Sequence, residues 1–140
     1  MNYLDTSVLV AALTNEARTA GIQRWLASQA TTGLAISEWV IVEFSSALSL
    51  KLRSGQLQPA HRSEALALFT QLSERSLTLL PVSTLDFRTA ARFADQHATR
   101  LRSGDALHLG VVANHGAHLV TLDRRMAAAA TTLGLSAEVL

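Results

Sequence analysis

The sequence contains no cysteine, only 2 prolines, and few aromatic residues, 5% of the chain. Without cysteine there can be no disulfide, no thiolate ligand for a soft metal and no thiol nucleophile, and the composition fits a reducing compartment. Lysine is nearly missing as well. Of the 12 basic residues only Lys51 is lysine, and the others are arginine. Arginine is the better-shaped donor for bidentate phosphate contacts, although coding bias in a GC-rich genome produces the same excess. No run approaches the roughly 18 consecutive apolar residues needed to cross a bilayer. The first residues also lack the basic and apolar regions of a signal peptide, because Asp5 stands where the apolar region would begin. These absences lead to the expectation of a cytoplasmic protein with no membrane association.

What is present is aliphatic. With 140 residues, 49% of them hydrophobic, the chain is expected to form a single domain, 1–140, around one Leu-, Val- and Ala-rich core. MNYLD reads as a buried strand and SVLVAAL as the start of a helix. A second helix is expected over about Glu16–Ala30, broken by Thr31-Thr32-Gly33, and LAIS is a strand ending at Ser37, a helix-capping residue. EWVIVEFSSALSLKLRSG is a long helix closed by Gly55, and Pro59 opens the next one. After the strand LTLLPV come the helix DFRTAARFADQHA and a second helix from a Ser103 cap to Gly116. AHLVTLD, RRMAAAATTLG and SAEVL then read as strand, helix and strand. Brief apolar strands alternating with helices predict a three-layer α/β/α fold with a short, largely parallel central sheet.

In such folds, ligands bind beyond the carboxyl ends of the strands. Asp5 and Asp123 each end a strand, and Asp105 lies in the first turn of a helix that follows a loop. Each has an ordinary explanation, because aspartate at a helix N-terminus bonds free N–H groups and complements the dipole. Glu43 is different. It lies inside a long helix on a largely apolar face, flanked by Trp39, Val40, Ser46 and Ala47, and a glutamate there needs an arginine or lysine partner or a cation. Two carboxylates about 4 Å apart repel by roughly 4 kcal/mol at an effective dielectric near 20. A cluster of acids therefore implies a compensating ion. Oxygen ligands without cysteine or histidine spacing select a hard cation, Mg²⁺ or Mn²⁺.

The segments MNYLDTSVLVAAL, ISEWVIVEF, LRSGDALHLG and HLVTLDRRM, in this order and at these separations, resemble a PIN-domain ribonuclease of the VapC toxin type. The likeness covers essentially the whole chain, with residues 57–100 contributing helices more than motif. It implies that Asp5, Glu43, Asp105 and Asp123 form the family's acidic quartet and carry the catalysis. It further implies that Asp5 and Asp105 hold Mg²⁺ (Mn²⁺ as a substitute), with Thr6, Ser7 and Thr121 as supporting hydroxyls. Gly104 departs from the bulkier residues that often precede the third acid. Arg124 and Arg125 follow the fourth acid, where some members carry another. The activity implied is hydrolysis of single-stranded or looped RNA. The partners implied are a small VapB-type antitoxin and a second copy of the chain.

Setting the quartet aside leaves seven acids against 12 bases. Arg100, Arg102 and Arg124 lie close in sequence to the acids and are expected to contact RNA, as a positive rim around a negative pocket. Arg18, Arg24, Arg62 and Arg75 read as solvated helix surface. His108, three positions beyond Asp105, is near enough in sequence to reach the pocket but reads more simply as a packed helix histidine. Trp39, Val40, Phe44, Leu66, Leu68, Phe69 and Leu72 either pack together or leave surface for a partner. Two rivals stand beside the nuclease. A haloacid-dehalogenase-like phosphatase would place a second aspartate where Ser7 stands, and would leave Glu43 without a role. A non-catalytic PIN-like module would bind RNA or protein with no need for the acids.

Overall fold

The short apolar runs at the centre of the sheet become strands because neighbouring helices cover both their faces. In the computed structural model, residues 1–30 and 33–140 are described, and the expected break at Thr31-Thr32 lies outside them. The strands are β1 (Asn2–Leu4), β2 (Leu34–Ser37), β3 (Thr78–Leu80), β4 (His118–Thr121) and β5 (Ala137–Val139). They form one sheet in the order β3-β2-β1-β4-β5, and every pairing is parallel. The helices are α1 (Thr6–Leu13), α2 (Thr19–Ser28), α3 (Glu38–Arg53), α4 (Pro59–Ser76), α5 (Thr84–Ala94), α6 (Ser103–His115) and α7 (Arg124–Thr132). Together they make the three-layer α/β/α arrangement. Among the described residues, no helix is long and apolar enough to cross a membrane.

The strand order fixes where a ligand can enter. From β1 the chain builds outward to β2 and β3 on one side, then returns to place β4 and β5 on the other. The point where the order reverses lies between β1 and β4, and there the connecting loops part to leave a crevice at the carboxyl ends. The register pairs Tyr3 with Leu119 and Leu4 with Val120, so the residues following both strands emerge side by side.

The core is aliphatic, as the composition requires. Leu4, Leu9, Ile36, Val40, Leu48, Leu109 and Leu119 are fully buried, each contributing about 1.5–3 kcal/mol relative to exposure. Phe44 of α3 stacks on Phe69 of α4 with ring centroids 4.3 Å apart. Leu66 and Leu72 pack against the same core, while Leu68 stays exposed, so most of that apolar stripe is interior. Helix α6 is buried from Ala106 to Val112.

Several element ends and caps differ from the sequence expectation. Helix α2 begins at Thr19, because the Thr19 hydroxyl accepts the Glu16 N–H and donates to the Ala11 carbonyl, which holds the preceding residues in a turn. Helix α5 stops at Ala94 and a separate 3-10 turn spans His97–Thr99. Ser103 is the first residue of α6, and Arg102 takes the cap position without a side-chain bond. Ser37 does occupy the cap position of α3, but its hydroxyl turns inward to Tyr3.

Helix α5 is started by a capping box between Ser83 and Asp86 and is clipped to α6 by Asn114, whose amide donates to Asp86 at 2.7 Å. Gly110 makes this close approach possible, because a Cβ there would stand 2.5 Å from the Asp86 carbonyl oxygen and 3.2 Å from the Ala90 nitrogen. Gly110→Ala is accordingly expected to destabilise the fold by about 1–3 kcal/mol through forced separation of the helices. Gly21→Ala, on an exposed position of α2 with nothing within 4 Å, is expected to stabilise by roughly 0.5–1 kcal/mol. Urea unfolding of the two variants checks both signs.

Candidate active site

Asp5 leaves the end of β1 and caps α1. Its carboxylate is 4% exposed. Oδ1 accepts the Ser7 hydroxyl at 2.6 Å and, at 3.4 Å, the Val8 N–H, while Oδ2 accepts the Thr121 hydroxyl at 2.8 Å. Both hydroxyl oxygens are also acceptors. Ser7 Oγ takes the Leu122 N–H at 3.0 Å, and Thr121 Oγ1 takes the Asp123 N–H at 2.9 Å. The two hydroxyls thus stitch the Asp5 carboxylate to the backbone leaving β4, across the crevice between the strands. They stand beside the acids as expected, and they hold Asp5 rather than only lining it.

Asp123 caps α7, with Oδ1 accepting the N–H groups of Arg125 and Met126. Glu43 projects from α3. Its Oε2 accepts the Thr6 hydroxyl at 2.6 Å and lies 2.6 Å from His108 Nε2. Its Oε1 lies over Gly104, where a Cβ would come within 3.0 Å of it. The unusual glycine therefore leaves room for the Glu43 carboxylate. Asp105 follows on the first turn of α6, half-buried and close enough to feel the charges of Asp123 and Glu43.

The electrostatics differ from one acid to the next. Burial pushes the Asp5 carboxyl above its usual range, against the pull of the Ser7 and Thr121 hydroxyls. Burial also raises Asp105, and the neighbouring charges of Asp123 and Glu43 raise it further. For Glu43, burial acts upward too, but the hydrogen bonds from His108 and Thr6 outweigh it and hold the carboxyl below its usual range. Among the described residues none of these acids pairs with arginine or lysine. Among the same residues, the one lysine–carboxylate pair joins Lys51 to Glu16, and His108 and His118 lie within reach of Glu43 and Glu138, contacts that are ionic only when the ring is protonated. Nor do any three His, Asp or Glu side chains among the described residues stand close enough to form a metal cage as they are. The acids face one crevice, each turned partly to its own local donors. As a donor set they are carboxylate and hydroxyl oxygens with no soft ligand. That chemistry fits a hard divalent cation entering an open site.

His108 was legible only in part. It is 2% exposed, a packed helix histidine, yet it also reaches Glu43. Tyr3 and Ser37, which complete the hydrogen bonding behind it, were missed. A signal was available: a histidine in a helix that is apolar all round must find buried partners. Arg100, Arg102 and Arg124 are all exposed. Arg102 draws the Asp105 carboxyl downward, and Arg100 holds a left-handed backbone conformation at φ 56°.

Residues 3–131 match the PIN domain family. The chain belongs to the PIN-domain family. No curated protein matches it at a significant level. Solved structures do. PAE2754 of Pyrobaculum aerophilum is 27% identical, with a TM-score of 0.68 over 91% of this chain and 78% of that one. VapC20 of Mycobacterium tuberculosis, described as a sarcin–ricin loop cleaving toxin, is 21% identical, with a TM-score of 0.73 over 92% of this chain and 95% of that one. A toxin–antitoxin complex of Klebsiella pneumoniae contains a chain 15% identical, with a TM-score of 0.63 over 88% of this chain and 87% of that one. The last two likenesses concern the fold of the PIN domain.

A carboxyl raised by folding stabilises the protein below its ordinary value, and that contribution is lost as pH rises through the raised value. Asp5 and Asp105 act in this sense, and Glu43 acts in the opposite one. In the metal-free PIN domain, Asp105→Asn is expected to raise Tm by a few degrees at pH 7. The gain should vanish below about pH 4, where the wild-type carboxyl is also neutral. Thermal melts across pH check this.

Proposed function

We propose that this PIN domain is a metal-dependent endoribonuclease that hydrolyses phosphodiester bonds in single-stranded or looped RNA, as the toxin of a toxin–antitoxin pair. One observation carries the reading. Folding brings Asp5, Glu43, Asp105 and Asp123 to the crevice between β1 and β4, with no arginine or lysine paired to any of them among the described residues. The fold shared with a sarcin–ricin loop cleaving toxin and with a toxin–antitoxin complex supports the substrate class and the partner.

Asp5 and Asp105 are the residues that would hold Mg²⁺ or Mn²⁺. When bound, such an ion offsets charge on the scissile phosphate and eases deprotonation of the attacking water. The chain's own residues supply the rest. Ser7 and Thr121 keep the Asp5 carboxylate fixed, so little reorganisation is needed when charge develops nearby. Glu43 Oε1, free of the bonds that tie Oε2, is the atom placed to receive a proton from the attacking water. Asp123 Oδ1 is occupied by the amides of α7, which leaves its second oxygen to complete the negative pocket. Arg100, Arg102 and Arg124 hold flanking phosphates at the rim. In-line attack by water leaves a 5′-phosphate and a 3′-hydroxyl.

A VapB-type antitoxin and a second copy of the chain are the proposed protein partners, and the reading places the protein in the cytoplasm. A dimeric mass by light scattering at micromolar concentration supports the homodimer, and a monomeric one opposes it. In the alternative, a non-catalytic module binds RNA or protein equally well with or without metal.

Chelation is expected to abolish cleavage and Mg²⁺ or Mn²⁺ to restore it. Asp5→Asn should lower kcat by at least about a hundredfold. Mass spectrometry of the products should find 5′-phosphate ends, and 2′,3′-cyclic phosphates would overturn the hydrolytic mechanism. Replacing Arg100, Arg102 and Arg124 together by alanine should weaken RNA binding and reduce its salt slope by roughly 2–3, as read by fluorescence anisotropy at several salt concentrations.

A further inference from the structure

Behind the acidic crevice runs a buried line of polar groups that the nuclease reading does not use. Ser37 Oγ at the end of β2 lies 2.7 Å from the Tyr3 hydroxyl on β1. The Tyr3 hydroxyl lies 2.8 Å from Nδ1 of His108 on α6, and His108 Nε2 lies 2.6 Å from Glu43 Oε2 on α3. Tyr3 and Ser37 are 0% exposed and His108 is 2% exposed. The line therefore crosses the sheet interior and surfaces only at Glu43. Stability does not call for it, because matched apolar groups in place of a buried hydrogen-bonded set leave a fold about as stable.

We propose that Tyr3 and His108 are positioning residues that set the orientation of Glu43 in the active site, an inference that rests on the nuclease reading above. The proton positions follow from the acceptors. Glu43 Oε2 already accepts the Thr6 hydroxyl, and a carboxylate donates nothing, so His108 must carry its hydrogen on Nε2. With the ring neutral, Nδ1 is a bare acceptor, which the Tyr3 hydroxyl fills as donor. The Tyr3 oxygen in turn accepts from Ser37. Burial pushes the Tyr3 phenol well above its usual range, so it stays neutral and keeps its hydrogen for this bond. One tautomer of His108 satisfies every group.

The consequence reaches the crevice through Glu43. Its side chain has several rotatable bonds and is only half-buried, so packing alone leaves it loose. Two short bonds pin Oε2 from different elements, α1 through Thr6 and α6 through His108. The other oxygen then lies over Gly104, in the space that a side chain there would take. The Trp39 indole N–H, buried and bonded to no other group among the described residues, stands beside the same glycine, near enough to Glu43 to help hold its carboxyl down. Oε1 is thus held at one place beside Asp105 while Oε2 serves as the anchor. Misplacing a reacting group by about 1 Å costs up to roughly a hundredfold in rate, which is the scale on which the anchor acts.

The test compares His108→Leu, His108→Gln and Tyr3→Phe in the full chain. Leucine fills the space without a donor, whereas the glutamine amide restores an N–H toward Glu43. His108→Leu is expected to lower kcat for RNA cleavage by about tenfold to a hundredfold with KM unchanged, and to weaken Mn²⁺ binding measured by calorimetry. His108→Gln should recover both to within about threefold. Tyr3→Phe should lower kcat by roughly threefold to tenfold. In metal-free wild-type protein, ¹⁵N NMR should find His108 as the Nε2–H tautomer. A folded His108→Leu protein with wild-type kcat, a Gln variant no better than Leu, or an Nδ1–H tautomer overturns the proposal. If the Leu variant does not fold, wild-type kcat in Tyr3→Phe overturns it instead. If wild type cuts no RNA with metal present, the nuclease reading falls, and the tautomer measurement by itself upholds or overturns the hydrogen-bond relay.

Discussion

The carboxylate of Asp5 is the constraint around which the rest of the molecule is arranged. It is buried at the end of the central strand, where desolvation opposes its charge. It stays in place because Ser7 and Thr121 donate to its two oxygens while tying it to the backbone beyond β4. A buried charge with such partners is tolerable; one without them costs several kcal/mol. The same bonds that make the charge tolerable close the two central strands around the crevice. The fold and the site thus share one set of contacts.

The other acids are placed by the elements that surround this point, and each carries a different electrostatic load. Asp105 is pressed upward by burial and by its acidic neighbours, Glu43 is drawn downward by His108 and Thr6, and Asp123 is committed through one oxygen to the start of α7. Acids that meet without arginine or lysine store repulsion that a divalent cation relieves. Behind the crevice, the Ser37–Tyr3–His108 line gives Glu43 a support that reaches through the sheet, so the pocket's geometry is anchored in the core rather than at the surface.

Much of this was legible in residue order. The alternation of short apolar runs with amphipathic stretches pointed to the parallel α/β sheet. Asp5 and Asp123 could be placed at strand ends, and Glu43 stood out as a charge on an apolar face. The helix ends were read less well where side chains found tertiary partners. Ser37 looked like a cap, yet its hydroxyl serves Tyr3, because a buried phenol needs a donor more than an exposed helix end does. His108 read first as packing, with reach to the pocket as the lesser reading. Its second role depends on a contact 65 residues distant in sequence, which no local pattern encodes.

By itself, the sequence determined the fold class and singled out Asp5, Glu43, Asp105 and Asp123 as candidate acids, because periodicity and residue type are local properties. Only the tertiary structure decided how those acids are held. The strand order placed the crevice between β1 and β4, Gly110 set how closely α5 approaches α6, and Gly104 left space for the Glu43 carboxylate. It also decided which hydroxyl and which ring nitrogen face each carboxylate. Hydrogen bonds of 2.6–2.8 Å join residues from separate elements, and their geometry exists only once the sheet has brought those elements together.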